Sequence, residues 1–348
     1  MATSARPLPL MLPSLTVIIP VYNRTAVLVH PLRSLREAAA ATPDLQWEIV
    51  VVDDGSTEDV ASVLASFSDL PIRLHRQENK GLLAARLTGL SLAQHEAVLF
   101  LDGDDLVAPG KFTAQLPALT GADVTYGDVG RVELEDHGQL VGALRLDQPL
   151  APCDEPAEFY LGIQPAPHNP IFRRTYLISA IAPPLFPAHR IYDPIAETWF
   201  YYHLSIMPAR IKYVPGAWTI VGDHPGERIS RAWERQAFAA LHLMRSFMAA
   251  CPVSTATVAA RQRVGHCAFA TWRALPYNFT GFPADDFIAI WRTAPRAPLA
   301  ELGGRWFQRL ARVVGPVPAA RIFRRLQRGP YSRIRTLSSA QLAALVHE

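Results

Sequence analysis

Cysteine is nearly absent: Cys153, Cys251 and Cys267 are the only three in 348 residues, far apart and with no C-x-x-C pair. So sparse and odd a set argues against a disulfide framework and against a thiolate metal site, and leaves the three as small buried apolar side chains. No H-x-x-x-H pair occurs among the eleven histidines, so a zinc enzyme is not supported. Long hydrophobic runs are missing too. No stretch of about 18 uncharged apolar residues exists, which argues against a bilayer-spanning helix. Residues 1–20 are apolar but hold four Pro and no clean hydrophobic core before a small-residue cleavage site, so they are not read as a signal peptide. The expected compartment is the cytoplasm. No G-x-G-x-x-G follows the first strand-like run, which excludes a dinucleotide-dependent dehydrogenase.

What is present is a chain able to bury a large core, with 49% hydrophobic and 19% charged residues. Disorder and coiled coil are excluded as global descriptions, and 30 Pro with 20 Gly speak against an all-helical bundle. The net charge of +3 is unevenly spread. Residues 301–336 hold nine Arg and one Glu, so the rest of the chain is acidic overall. That division points to a cation site in the body and an anionic surface near the tail.

The first hundred residues alternate strand and helix signals. Apolar, β-branched runs at 15–21, 47–52, 72–75 and 97–101 predict strands; helical spacing predicts helices over 25–41, 58–67, with Ser56 as N-cap, and 81–93. Strands apolar on both faces, separated by helices, predict a mostly parallel sheet wrapped by helices. Chemistry in such sheets gathers at the carboxyl ends of the strands. Here those ends carry Tyr22-Asn23, Asp53-Asp54 and Asp102-x-Asp104. Further on, 124–126, 130–134, 211–214 and 217–221 read as short strands, 155–162 as an interrupted helix, and 198–206 as helix or buried strand. Residues 231–274 and 301–328 read as helical.

Asp102-Gly103-Asp104-Asp105 is the sharpest feature. Three carboxylates in four residues repel one another unless a positive partner neutralises them. A hard divalent cation that also binds a diphosphate is the natural candidate; an acidic turn capping the next helix is the plainer alternative. Asp53-Asp54-Gly55-Ser56 has the same ambiguity between base recognition and ordinary turn chemistry.

The ordered segments I-I-P-V-Y-N (18–23), V-V-D-D-G-S (51–56), N-K-G-L-L-A-A-R (79–86) and F-L-D-G-D-D (100–105) together resemble the nucleotide-sugar half of inverting family-2 glycosyltransferases of the GT-A fold. The resemblance covers about 14–130 well, extends in weaker form to about 230 and leaves the C-terminal third uncovered. It implies an α/β, Rossmann-like GT-A domain at 14–230, with a nucleotide-sugar half at 14–130 and an acceptor half at 131–230. A 1–13 extension precedes it and a helical, basic region follows at 231–348. It further implies that Pro20 and Tyr22 line a nucleoside, that Asp54 contacts the base of a uridine-type donor and that Arg86 lies near the diphosphate. By the same resemblance Asp102 and Asp104 hold Mn²⁺ or Mg²⁺, His224 completes the metal or diphosphate site, and Asp128 stands on the acceptor side. Leu87 replaces the Asn usual after the Arg.

Sugar transfer also needs a base for the acceptor hydroxyl. The family's Glu-Asp pair reads Glu197-Thr198 here, and a threonine cannot take a proton near neutral pH. Glu197, Asp193 or an impaired catalytic step are the readings left open, the last making the chain a non-catalytic binding relative. The acceptor class stays open among a glycan, a lipid-linked molecule and a small metabolite, and the oligomeric state is not legible. A haloacid-dehalogenase-like phosphotransferase also places D-x-D at a strand end. It needs an earlier nucleophilic Asp and a downstream Lys, and only Lys80, Lys111 and Lys212 exist.

In the tail, Trp306, Phe307, Leu310, Val313 and Val314 are set against Arg305, Arg309 and Arg312, and 320–328 repeats the pattern with Ile322, Phe323 and Leu326. Basic amphipathic helices with aromatics suit peripheral contact with an anionic membrane surface; a helix pair packed on the body with a solvated Arg face is the alternative. Nucleic-acid binding is disfavoured, since no stacking platform accompanies the charge.

Overall fold

The computed structural model describes residues 12–134, 140–223, 233–275, 282–326 and 337–347. Strands β1 (Leu15–Val21), β2 (Trp47–Asp53), β3 (Ile72–Arg76) and β4 (Ala97–Phe100) form the parallel half of one sheet. They are joined by helices α1 (Thr25–Ala40), α2 (Val60–Ala65) and α3 (Leu82–Leu92). Then come β5 (Leu106–Val107), α4 (Lys111–Leu119), β6 (Val124–Leu134) and β7 (Leu140–Leu146). The short α5 (Pro156–Glu158) runs into a π-helical turn at Phe159–Ile163, followed by β8 (Ile171–Arg173) and α6 (Arg174–Ile181). A 3₁₀ turn at Arg190–Ile195 leads into α7 (Ala196–Leu204), and β9 (Ile211–Asp223) closes the sheet. The strand order is β3-β2-β1-β4-β8-β6-β9-β5, with β7 paired to β6.

Parallel ladders account for most of the paired residues, as expected, and short antiparallel ones make the sheet mixed. β8 pairs antiparallel with both β4 and β6, β5 antiparallel with β9, and only β6–β9 is parallel in the second half. The two short strands expected at 124–134 are one strand, whose register slips around Asp128. Those expected at 211–221 are also one, bent at Gly216. The second helix begins later than expected, with Asp59 rather than Ser56 as its cap, accepting from the Ser62 N–H at 3.0 Å. Ser56 is spent elsewhere: its hydroxyl accepts from the Asn23 N–H at 3.0 Å.

Period-two alternation explains why β1 and β4 read as continuously apolar. Val17, Ile19 and Leu99 enter the core beneath α1, α2 and α4, whereas Ile18, Val98 and Phe100 enter the one beneath α3, α6 and α7. The second core continues into α8 (Trp233–Ala250), α9 (Val258–Ala274), α10 (Asp285–Thr293), α11 (Arg305–Val314), α12 (Pro316–Leu326) and α13 (Ser339–Ala344). Phe269, Trp272, Phe287, Phe307, Ala319 and Leu342 belong to the same contiguous apolar cluster as Ile18. The helical C-terminal region is thus packed against the sheet domain.

Candidate functional site

The carboxyl ends of β1, β2 and β4 lie side by side, because all three run parallel in adjacent positions. Asp102–Asp105 leaves β4 as a tight turn, closed by the Asp105 N–H donating to the Asp102 carbonyl at 3.2 Å. Its carboxylates diverge. Asp102 and Asp104 stay partly solvent-accessible, with side chains 27% and 21% exposed. Asp105 turns inward, accepts from the Gly222 N–H at 3.0 Å and lies 3.1 Å from His168 Nδ1. Burial pushes that imidazole down to about 3, so His168 is neutral at physiological pH. A side chain at position 222 would strike the Asp104 carbonyl, so only glycine lets β9 run this close to the acidic turn.

Behind the turn, the buried Lys111 amine, its pKa pushed well down by burial, donates to the Asn169 carbonyl at 2.9 Å and to Thr219 Oγ1 at 3.1 Å. The Asn169 side-chain amide pairs with both backbone groups of Gly127. These contacts fix β9, β6 and the 165–170 loop against one another.

Arg86, on α3 and 1% exposed, joins the first half of the site to the second. It donates to Asp102 Oδ1 at 2.6 Å and to Glu197 Oε2 at 3.3 Å. Burial alone lowers an arginine's pKa; the two carboxylates more than reverse this, and the net shift is upward. A guanidinium held this way fixes the relative positions of its two partners. Glu197 occupies the first turn of α7 and keeps about a third of its side chain exposed. Tyr201, one turn on, is buried beneath it with its hydroxyl donating to the Pro165 carbonyl at 2.8 Å. Arg86, Glu197, Phe100, Phe172, Phe200, Tyr201 and Pro167 line a small cleft there.

The expected residues fall into three groups. Asp102, Asp104, Arg86 and Glu197 come together. Pro20 and Tyr22 lie at the end of β1, with Tyr22 half exposed. Asp54 and Asp193, in contrast, are engaged with backbone. Asp54 is buried; Oδ1 accepts from the Lys80 N–H at 2.9 Å and from Gln77 Nε2 at 2.7 Å, and Oδ2 accepts from the Gly81 N–H at 2.8 Å. Asp193 Oδ1 accepts from the Leu83 N–H at 3.0 Å, and burial pushes its carboxyl up to about 6. Both carboxylates therefore hold the start of α3, where free N–H groups and the helix dipole favour negative charge.

Asp128 is likewise tied down, accepting from the Tyr213 hydroxyl at 2.7 Å and from the Leu150 and Gly216 N–H groups. Burial raises its pKa, these three hydrogen bonds together outweigh burial, and the net shift is downward. His224 lies outside the described residues; the strand leading to it ends at Asp223, next to the Gly222 that meets the acidic turn.

Sequence reasoning missed Arg24, which donates to Asp104 Oδ2 at 3.4 Å, and the His168–Asn169–Lys111 group. A cation beside Asp104 had been anticipated as a metal, and an arginine one residue past Asn23 carries no motif to mark it. The buried polar residues come from positions 58 and 108 apart in sequence.

The donor set fits a hard divalent cation: two partly exposed carboxylates, two residues apart at a strand end. No group of three His, Cys, Asp or Glu forms a closed metal cluster among the described residues, so such an ion would complete its shell with ligand and water oxygens.

A mixed sheet whose parallel half ends in an acidic turn, continued into an aromatic, helix-covered half, has the GT-A fold of the solved structures it is similar to. Residues 16–141 match the family model described as Glycosyl transferase family 2. Over 112 residues the chain is 38% identical to a validoxylamine A glucosyltransferase of Streptomyces hygroscopicus subsp. jinggangensis, covering 31% of this chain and 26% of that one. Over 128 residues it is 29% identical to an uncharacterized glycosyltransferase of Rickettsia conorii, covering 36% of this chain and 20% of that one. The chain thus spans about a quarter or less of these relatives' own length. The fold is similar to S. aureus TarS 1-349 in complex with UDP-GlcNAc, with TM-score 0.60, 18% identity and 90% of each chain covered. It is also similar to the mannosyltransferase PcManGT from Pyrobaculum calidifontis in complex with GDP-Man and Mn²⁺, with TM-score 0.56, 19% identity, 98% of this chain and 88% of that one.

Proposed function

We propose that the protein transfers a sugar from a nucleoside-diphosphate sugar, of the UDP type, to an acceptor hydroxyl by direct displacement with inversion. The observation that carries this reading is the Asp102–Arg86–Glu197 chain, which joins the acidic turn of the donor half to an accessible carboxylate on the acceptor half. Asp102 and Asp104 would hold Mn²⁺ or Mg²⁺, and the bound ion would offset negative charge on the departing diphosphate. Glu197 takes the proton from the acceptor hydroxyl as that oxygen attacks the anomeric carbon from the face opposite the phosphate. The bond from that carbon to the phosphate oxygen breaks, its electron pair leaves with the nucleoside diphosphate, and an α-linked donor gives a β-linked product. Arg86 keeps Glu197 oriented, and Tyr201 and Phe200 form the dry floor beside it.

Two neighbours in fold were solved in complex with UDP-GlcNAc or with GDP-Man, which supports the donor class and leaves the base and sugar to experiment. The acceptor half, 131–230, lies mostly beyond the family match, and a glycan, a lipid-linked or a small-molecule acceptor is compatible with it.

A thermal-shift panel of UDP, GDP and their sugars with and without Mn²⁺ reads the donor class, and donor hydrolysis reads turnover. The expected result is a Mn²⁺-dependent shift with UDP and slow UDP release from a UDP-sugar, lost in Asp104→Ala. Donor binding without any release, from every sugar tested, would instead establish the non-catalytic relative that Thr198 in the base position allows.

A further inference from the structure

The two basic helices at the C-terminus divide their apolar residues between two destinations. Phe307 and Ala311 of α11, and Ala319 and Ala320 of α12, are buried in the body, and Phe307 meets Phe323 across the helix pair. Leu310, Val317 and Phe323 pack partly against the same core, whereas Trp306 is 71% exposed, Val313 83% and Leu326 72%. Trp306, Arg309 and Val313 recur at helical spacing and so share one face of α11; Ile322, Arg325 and Leu326 share one face of α12. Arg309 stacks over the Trp306 ring at 4.9 Å. Arg305, Arg312 and Arg321 are exposed alongside, and no acidic residue occurs between Leu302 and His347. Packing on the body therefore accounts for only half of this amphipathic pattern.

A cleft of about 270 Å³ opens on the same elements, lined by Arg273, Gly304, Arg305, Trp306, Phe307 and Phe323. Its walls are almost wholly apolar and aromatic, with Arg273 and Arg305 among the lining residues. That combination suits an acyl chain or glycerol backbone whose phosphate meets arginine.

We infer that the outward faces of α11 and α12 are a docking surface for an anionic lipid bilayer. Large apolar side chains at the surface enter the headgroup boundary, while Arg305, Arg309, Arg312 and Arg321 beside them meet lipid phosphates. A protein partner of ordinary surface composition would leave five exposed arginines desolvated against mixed charge, whereas an anionic bilayer supplies negative charge across the whole face. The inference stands apart from the glycosyl-transfer reading, since it uses none of the residues of that site.

The experiment is co-sedimentation of the full chain with vesicles of phosphatidylcholine alone or mixed with phosphatidylglycerol, at low and high salt. Binding is expected to the mixed vesicles only and to fall with salt. It should weaken about five-fold for each of Arg305→Ala, Arg309→Ala and Arg312→Ala, the factor that corresponds to ~1 kcal/mol per cation. The combined variant Trp306→Ser, Val313→Ser, Leu326→Ser changes exposed positions only; it should keep the wild-type thermal midpoint and lose vesicle binding. Equal binding to both vesicle types, no binding, or binding that the serine variant retains would overturn the inference. Concentration-dependent self-association that the serine variant abolishes, with no vesicle binding, would overturn it too and assign the face to a second copy of the chain.

Discussion

At Asp193, burial lifts the carboxyl to about 6 from an ordinary 3.8, although the Leu83 N–H and Arg190 pull the other way. A carboxyl whose folded pKa is raised binds its proton more tightly in the folded state, so between about pH 4 and 6 stability falls as pH rises. Asp193→Asn keeps an oxygen to accept from the Leu83 N–H and removes the charge. The variant is therefore expected to be more stable than wild type at pH 7, by roughly 1–2 kcal/mol. The gap should close toward pH 4, as read from thermal midpoints across that range; a gap independent of pH would sink the assignment. The same residue tests the base. Glu197→Gln is expected to lower turnover about 10²–10⁴-fold with donor affinity little changed, and Asp193→Asn to leave turnover near wild type. The opposite pattern in steady-state kinetics would transfer the role to Asp193. The sequence named both carboxylates and favoured Glu197, which matches the family's Glu, but the physical ground for ranking lies in their partners: one meets a backbone N–H, the other an arginine beside a cleft.

Among the elements, α3 depends most on residues distant in sequence. Its first turn is held by Asp54 from the end of β2 and by Asp193 from the Arg190–Ile195 turn. Gly81 stands between them at φ 93°, and a methyl group there would run into the Asp193 carboxylate. Gly81→Ala is expected to cost about 2 kcal/mol, from left-handed backbone strain and the displaced carboxylate together. A drop in the urea midpoint would measure it, and an unchanged midpoint would show that Asp193 yields freely. Element α7 teaches the complementary lesson. Its run of Trp199, Phe200, Tyr201 and Tyr202 has the composition of a strand, yet it forms a helix because all four rings are buried on different sides of one cylinder. Periodicity fails where every face is covered. The single long strands β6 and β9 were also hidden, since Gly127, Pro215 and Gly216 look like turn residues and in fact mark bends within a continuing ladder.

For the whole molecule, the apolar cluster that begins at Ile18 ends at Leu342, so the helical C-terminal region contributes to the stability of the sheet domain. Phe307→Ala, which empties a buried position touching Phe269 and Phe323, is expected to cost about 3–5 kcal/mol. Trp306→Ala, its exposed neighbour, should stay within about 0.5 kcal/mol of wild type. Equal losses in chemical denaturation would mean that α11 sits differently on the body. No helix among the described residues is long and apolar enough to cross a membrane, so membrane contact through these helices would lie at the surface.

Local chemistry and pattern, which a linear chain displays directly, determined the parallel half of the sheet, the acidic turn after β4 and the order of the motifs that carry the family resemblance. Each of those depends on neighbours a few residues apart. The tertiary structure alone decided which carboxylates remain available. Asp54, Asp105, Asp128 and Asp193 are spent on backbone groups and on the side chains of Gln77, His168 and Tyr213, while Arg86 brings Asp102 and Glu197 within reach of one guanidinium. A carboxylate's role is set by the donors that surround it, and here those donors arrive from strands and turns up to 117 residues away.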